Sequence, residues 1–155
     1  LTVSAGELAN VKTGMPLVTP DGLAGQVIVS AKNYSQILPY SNALFNVSAR
    51  VQDSRAVGIV SWQGTTQNEL VMRLVPQTIE VKEGQVIETS GFSNQFPAGI
   101  PIGEVTRVDP REGFDTQTIY LNAFVDLFTL AEGFIIQFEP DSTVNRLIET
   151  QEELF

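Results

Sequence analysis

Short runs of β-forming residues, each closed off by glycine, proline or a polar turn, recur along the whole of this 155-residue chain. Leu17 to Thr19, Gln26 to Ser30, Phe45 to Val51, Val57 to Trp62 and Leu70 to Val75 come first. Val86 to Thr89, Glu104 to Val108, Thr118 to Val125 and Phe134 to Glu139 follow. Runs of this length suit strands better than helices. Phe45, Val47, Ala49 and Val51 alternate with Asn46, Ser48 and Arg50, the period of a half-buried antiparallel strand. "TPDG" at 19–22, "QGTTQN" at 63–68 and "DPREGFD" at 109–115 supply turn chemistry. Many short strands at regular intervals point to an all-β sandwich or barrel.

A weak internal repeat sharpens the expectation. "VKTGMPLVT" from Val11 and "VKEGQVIET" from Val81 share Val-Lys-x-Gly and a threonine at the ninth place. Each is followed by a strand opening on glycine, "GQVIVS" from Gly25 and "GEVTRV" from Gly103, and "FSNQFPAG" fills the longer gap in the second copy. Two related hairpins, one nucleating each of two barrels, explain this arrangement. We therefore expect two small, closely packed six-stranded β-barrels. The join is placed near Pro76: a first barrel over 1–76 with C-terminal strands available to it, a second over 77–139, and an acidic tail over 140–155. In the tail Val144, Leu147, Ile148, Leu154 and Phe155 fall at helical spacing, interrupted by Gln151, among Glu149, Glu152 and Glu153. A short docked helix and a frayed terminus both fit that pattern.

Composition narrows the chemistry. Hydrophobic residues make up 43% and charged residues 17%, the balance of a chain that folds. The formal charge of −9, with no local cluster of Lys and Arg, argues against nucleic-acid binding. Without cysteine or histidine there are no disulfides, thiolate sites, Ser-His-Asp triads or Cys-His pairs. Ser30 and Lys32, two apart on one strand face, are the residual nucleophile–base pair, and surface residues of these types on strands are routine. No pair of carboxylates is singled out for glycoside hydrolysis. Asp109, Glu112 and Asp115 offer oxygen ligands to calcium, but without EF-hand order a solvated hairpin loop explains them equally well. No glycine-rich nucleotide motif occurs, so no cofactor is expected. No apolar stretch is long enough to span a bilayer. The chain opens on Leu1 without a signal-like segment and reads as part of a longer protein whose membrane anchor, if it has one, lies elsewhere.

"FPAGIPIGEV" at 96–105 is architectural. Pro97 and Pro101 remove ladder donors, while Gly99 and Gly103 permit backbone angles other residues resist, as a bent approach to a barrel strand requires. Ile100 and Ile102 share a face, and Phe96 either plugs the barrel end or stands exposed.

"VKTGMPLVTPDGLAGQV", "VQDSRAVGIV" and "TSGFSNQFPAGIPIGEVTRVDP" together resemble MreC, the bacterial rod shape-determining family, in order from about Val11 to Phe138. The motif positions that carry the resemblance are Gly14, Asp21, Gly22, Gly25, Ser54, Arg55 and Gly58 in the first two blocks. Gly84, in the repeat segment "VKEGQVIET", precedes the last block, where they are Thr89, Ser90, Gly91, Phe96, Pro97, Gly99, Pro101 and Gly103. The resemblance implies a non-catalytic scaffold of the cell-wall elongation machinery, placed outside the inner membrane and anchored to it in the full-length protein. It implies as partners the elongation-specific penicillin-binding transpeptidase, MreD, RodA and, indirectly, MreB, together with self-association. Docking would favour the active conformer of the transpeptidase, a population shift. An extracytoplasmic β-barrel adaptor of a membrane transport complex is the alternative. A docking module needs an apolar patch on a rigid frame. Candidates are Phe92, Phe96, Tyr40, Trp62, Phe124 and Phe128, with Phe92 and Phe96 first because they sit on a loop.

Overall fold

The structure, a computed structural model, describes residues 1–54, 56–64, 66, 68–92, 96–110, 115–129 and 133–136. Its strands are β1 (Thr2–Val3), β2 (Pro16–Thr19), β3 (Gly22–Ser30), β4 (Ser35–Pro39), β5 (Asn46–Val51), β6 (Val57–Trp62), β7 (Glu69–Pro76), β8 (Val86–Thr89), β9 (Pro101–Pro110), β10 (Thr116–Ala123) and β11 (Phe134–Ile135). A single 3₁₀ turn at Glu7–Ala9 is the one helical element among the described residues. Among the described residues no helix is long and apolar enough to cross a membrane.

Two sheets hold these strands. β5 to β10 close into a six-stranded antiparallel barrel in the order β10-β7-β6-β5-β8-β9, and the other five strands form a sheet in the order β1-β4-β3-β2-β11. The fold is all-β, with one closed barrel beside a half-barrel. The two edges of the half-barrel, β1 and β11, face a cavity of 290 Å³ lined by Val3, Val11, Leu17 and Phe134.

The sheets do not divide at Pro76. That residue ends β7 inside the closed barrel, where Thr116 of β10 opposes it. β5 explains the difference, because it pairs with β6 on one side and with β8 on the other, drawing strands from both halves of the sequence into one barrel. The first unit is instead completed from the far end of the chain, by β11 against β2. β1 and β4 were not among the expected strands; β4 reads Ser-Gln-Ile-Leu-Pro, too short and too polar to stand out, and Ser35 is buried only because its hydroxyl donates to the Ala5 carbonyl at 2.6 Å. Arg55, Glu112 and the tail 140–155 lie outside the described residues.

The internal repeat is reproduced bond for bond. Gly14 N–H donates to Val27 O and Val27 N–H to Met15 O; Gly84 N–H donates to Val105 O and Val105 N–H to Gln85 O. The side chain at the next position caps each turn: Lys12 N–H meets Met15 Sδ, and Lys82 N–H meets Gln85 Oε1. One copy joins β2 to β3 in the half-barrel, and the other joins β8 to β9 in the closed barrel. Both barrels draw on one continuous core that includes Leu17, Leu23 and Ile37 on one side and Val60, Leu70, Ile87, Ile119 and Leu121 on the other. Phe45, Val47, Ala49 and Val51 are all buried, as their period requires.

Candidate docking surface

One end of the closed barrel collects most of the aromatic residues. There β5 begins, β6 ends, β7 begins, β8 ends, β9 begins and β10 ends, as the pairs Asn46–Ser61, Trp62–Leu70, Ala49–Thr89 and Ala123–Gly103 show. The same end abuts the half-barrel. A Cβ placed on Gly22, in the β2–β3 turn, would lie 2.3 Å from the Pro101 carbonyl oxygen, so glycine is what lets the two backbones meet.

Tyr40 closes this junction from inside. It follows β4, is 1% exposed, and donates its hydroxyl to the Val125 carbonyl beyond β10, with Asn68 Oδ1 as a second acceptor 3.1 Å from the hydroxyl oxygen. Burial, and secondarily the nearby Asp126 carboxylate, push its phenol up to about 12. Phe96 is 2% exposed and lies beside a cavity of 220 Å³ that Gln26 of the half-barrel and Ile59 of the closed barrel also line. Burial therefore removes Tyr40 and Phe96 from the free docking candidates. Both serve as plugs, because a ring of this size at a barrel end gains more from the core than from water.

The others remain at the surface. Phe92 is 73% and Phe128 81% exposed, Phe124 is at the margin of exposure, and Trp62 is half-buried with its indole N–H donating to the Thr66 carbonyl. Their supports are rigid. Thr89 is fully buried; its hydroxyl donates to the Pro97 carbonyl at 2.6 Å and accepts from Ile100 N–H at 2.9 Å, cinching the base of the loop that carries Phe92. Ser90 binds Ser48 hydroxyl to hydroxyl at 2.8 Å and accepts from Phe92 N–H. Gly91, at φ +81°, turns the chain where a side chain would meet Ala98. After β10 the chain alternates, with Val125 buried and Leu127 packed on the core between the outward Phe124 and Phe128, and Asp126 caps the turn through Phe128 N–H.

The remaining motif positions are turns and close approaches. Gly14 and Gly84 take positive φ in the repeat turns, Gly99 does so before β9, Asp21 donates its N–H to the Thr19 hydroxyl, and Ser54 lies in the β5–β6 turn. Gly25, Gly58 and Gly103 sit in strands where a Cβ would meet a neighbouring carbonyl oxygen at 2.4 to 2.5 Å. Pro97 and Pro101 frame the start of β9 as expected.

The candidate chemical groups are used structurally. Ser30 donates its hydroxyl to the Val11 carbonyl at 2.7 Å, clasping β3 to the turn before β2. Among the described residues no three acidic side chains gather as a metal site. Arg50 grips Glu88 across β5 and β8 through Nε and Nη2, both on Oε2, at 2.8 and 2.6 Å. What this end of the barrel offers to solvent is a set of large apolar side chains, Phe92, Phe124 and Phe128.

Comparison with known proteins follows the same line. The family model for the barrel core of the rod shape-determining protein MreC matches residues 1–137. The cell shape-determining protein MreC of Listeria monocytogenes is 32% identical over 131 residues, covering 83% of this chain and 44% of that protein. The chain thus spans less than half the length of this curated relative. A solved Listeria MreC structure superposes with a TM-score of 0.81 at 28% identity, covering 86% of this chain and 65% of that one. A complex between penicillin-binding protein PBP2 and MreC from Helicobacter pylori contains a chain that shares the fold, with a TM-score of 0.65 at 21% identity over 77% of this chain and 74% of that one.

Proposed function

The chain belongs to the MreC family of rod shape-determining proteins, and from that premise we propose that it is a non-catalytic docking module for the peptidoglycan transpeptidase of cell-wall elongation. The observation that carries the reading is the Helicobacter pylori complex: a chain of this fold has been solved together with a penicillin-binding protein. The exposed Phe92, Phe124 and Phe128, on supports tied down at the barrel end, give this chain a surface suited to the same task. Large apolar side chains held rigidly in water cost little further entropy on binding, which is what a docking anchor requires.

The reading extends to the whole protein. The module stands outside the cytoplasmic membrane, anchored by a segment beyond this sequence, and works beside MreD and RodA with MreB acting indirectly. Copies associate with one another. Docking selects the active conformer of the transpeptidase, so the module must bind that conformer more tightly than the inactive one. A transport adaptor is disfavoured by the family match across residues 1–137.

Biolayer interferometry of this chain against the extracytoplasmic region of its own organism's elongation transpeptidase tests the proposal. Saturable binding is expected, weakened by about tenfold or more in a Phe92→Ala/Phe128→Ala variant, the scale of losing a buried aromatic anchor. A folded chain that shows no binding at tens of micromolar overturns it.

A further inference from the structure

The wall of the closed barrel carries a second feature, which reaches the aromatic end only at Gln63 and Glu69. A cleft of 540 Å³ opens over β7 and β10, with Val71, Thr118 and Tyr120 among the residues beneath it. It exists because the ladder slips there: between the pairs Val75–Gln117 and Met72–Ile119, two β7 residues, Arg73 and Leu74, oppose the single Thr118. This is a β-bulge, and Leu74 occupies its left-handed position at φ +66°. Glycine or asparagine is the usual occupant of such a position, because a Cβ there crowds the following carbonyl. Leu74 is 60% exposed, so the strain is not offset by burial.

The charges beside it are arranged with equal disregard for self-satisfaction. Arg73 is held by the Gln63 side-chain oxygen, and Arg107 lies 3.9 Å above the Tyr120 ring, whose backbone is paired with both Arg107 and Val71. In a chain of net charge −9, neither guanidinium forms an ion pair with a carboxylate among the described residues. Each is held by a neutral group, Arg73 by Gln63 and Arg107 by the Tyr120 ring. Arg107 stands at the margin of the cleft, over Tyr120; two carboxylates, Asp109 opposite Thr118 and Glu69 opposite Asn122, line it beside Arg73. They disfavour a polyanion while leaving room for a single carboxylate beside an apolar side chain.

We propose that Leu74, Arg73 and Arg107 form a docking site for an extended segment of the partner transpeptidase in which an apolar side chain neighbours a carboxylate. Leu74 receives the apolar side chain, above the buried Val71 at the cleft floor, and the arginines receive the carboxylate. The strained leucine persists because it is needed at an interface, the usual reason for a backbone outlier on a surface. The inference rests on the reading that this chain docks the transpeptidase, and it assigns to the wall cleft the part of that docking that depends on charge.

Leu74→Asn separates docking from folding, because asparagine accepts the left-handed conformation. The expected result is a denaturation midpoint equal to or above that of the parent, together with about tenfold weaker binding to the transpeptidase's extracytoplasmic region. Arg73→Gln/Arg107→Gln is expected to bind more weakly at low salt and to lose most of the salt dependence shown by the parent, since that dependence comes from the two charges. If the parent binds and both variants match it in affinity and salt response, the cleft assignment falls while the docking reading stands. If the folded parent does not bind, the docking reading falls and takes this assignment with it.

Discussion

Tyr40 carries a hydroxyl into the junction between the two sheets, where it donates to the Val125 carbonyl and Asn68 Oδ1. Tyr40→Phe keeps the ring and removes the hydrogen bond, leaving a buried carbonyl unsatisfied at a cost of about 1–2 kcal/mol. The pH response has a definite sign. The folded phenol is raised to about 12 from its ordinary 10, so the unfolded chain ionises first. The stability that this residue supplies is complete below pH 10 and is lost as pH rises through about 12. Urea denaturation at steps from pH 8 to 12 should show the parent's advantage over Tyr40→Phe shrinking across the upper part of that range. A constant difference would mean that the hydroxyl is not shielded. Tyr40 also shows where a single chain of letters misleads: as an aromatic just after a strand it reads equally well as a surface anchor or a plug, and only Val125, 85 positions away, decides.

At the scale of elements, the loop between β8 and β9 depends on one side chain at its base. Thr89 bridges Pro97 O and Ile100 N–H, and its own carbonyl accepts from Gly99 N–H. Thr89→Val is close to isosteric but strands a part-buried acceptor and a buried donor, so a loss of about 1–3 kcal/mol is expected by urea denaturation. Amide exchange should rise at Ile100, and binding to the transpeptidase should weaken although Phe92 itself is unchanged. Unchanged exchange would show that the prolines and glycines hold the loop without the threonine. Much of this element was legible in advance. Proline and glycine act through local backbone geometry, so the bent approach to β9 and the shared face of Ile100 and Ile102 could be read from "FPAGIPIGEV". The threonine clamp was not, because a hydroxyl has no preferred partner until the loop folds back over it.

For the whole molecule, the contact of Gly22 with Pro101 makes the half-barrel and the closed barrel one body. Gly22→Ala sets a methyl against a backbone oxygen that cannot step aside, at a φ of +148°. A destabilisation of about 2 kcal/mol or more is expected, along with calorimetric unfolding that broadens or splits as the sheets uncouple. A single unshifted transition would locate the coupling in the shared core and Tyr40 instead.

By itself the sequence determined the all-β class, the buried face of β5, the paired repeat hairpins and the family, because period-two patterning, turn residues and glycine positions act over a few neighbouring residues. The tertiary structure alone decided that β5 pairs with β8, that Tyr40 and Phe96 turn inward while Phe92 and Phe128 stay out, and that Leu74 is held in a left-handed bulge beside two arginines without an ion pair among the described residues. Those outcomes follow from the pairing of distant strands, and the closure of a barrel fixes their register in a way that no local stretch records.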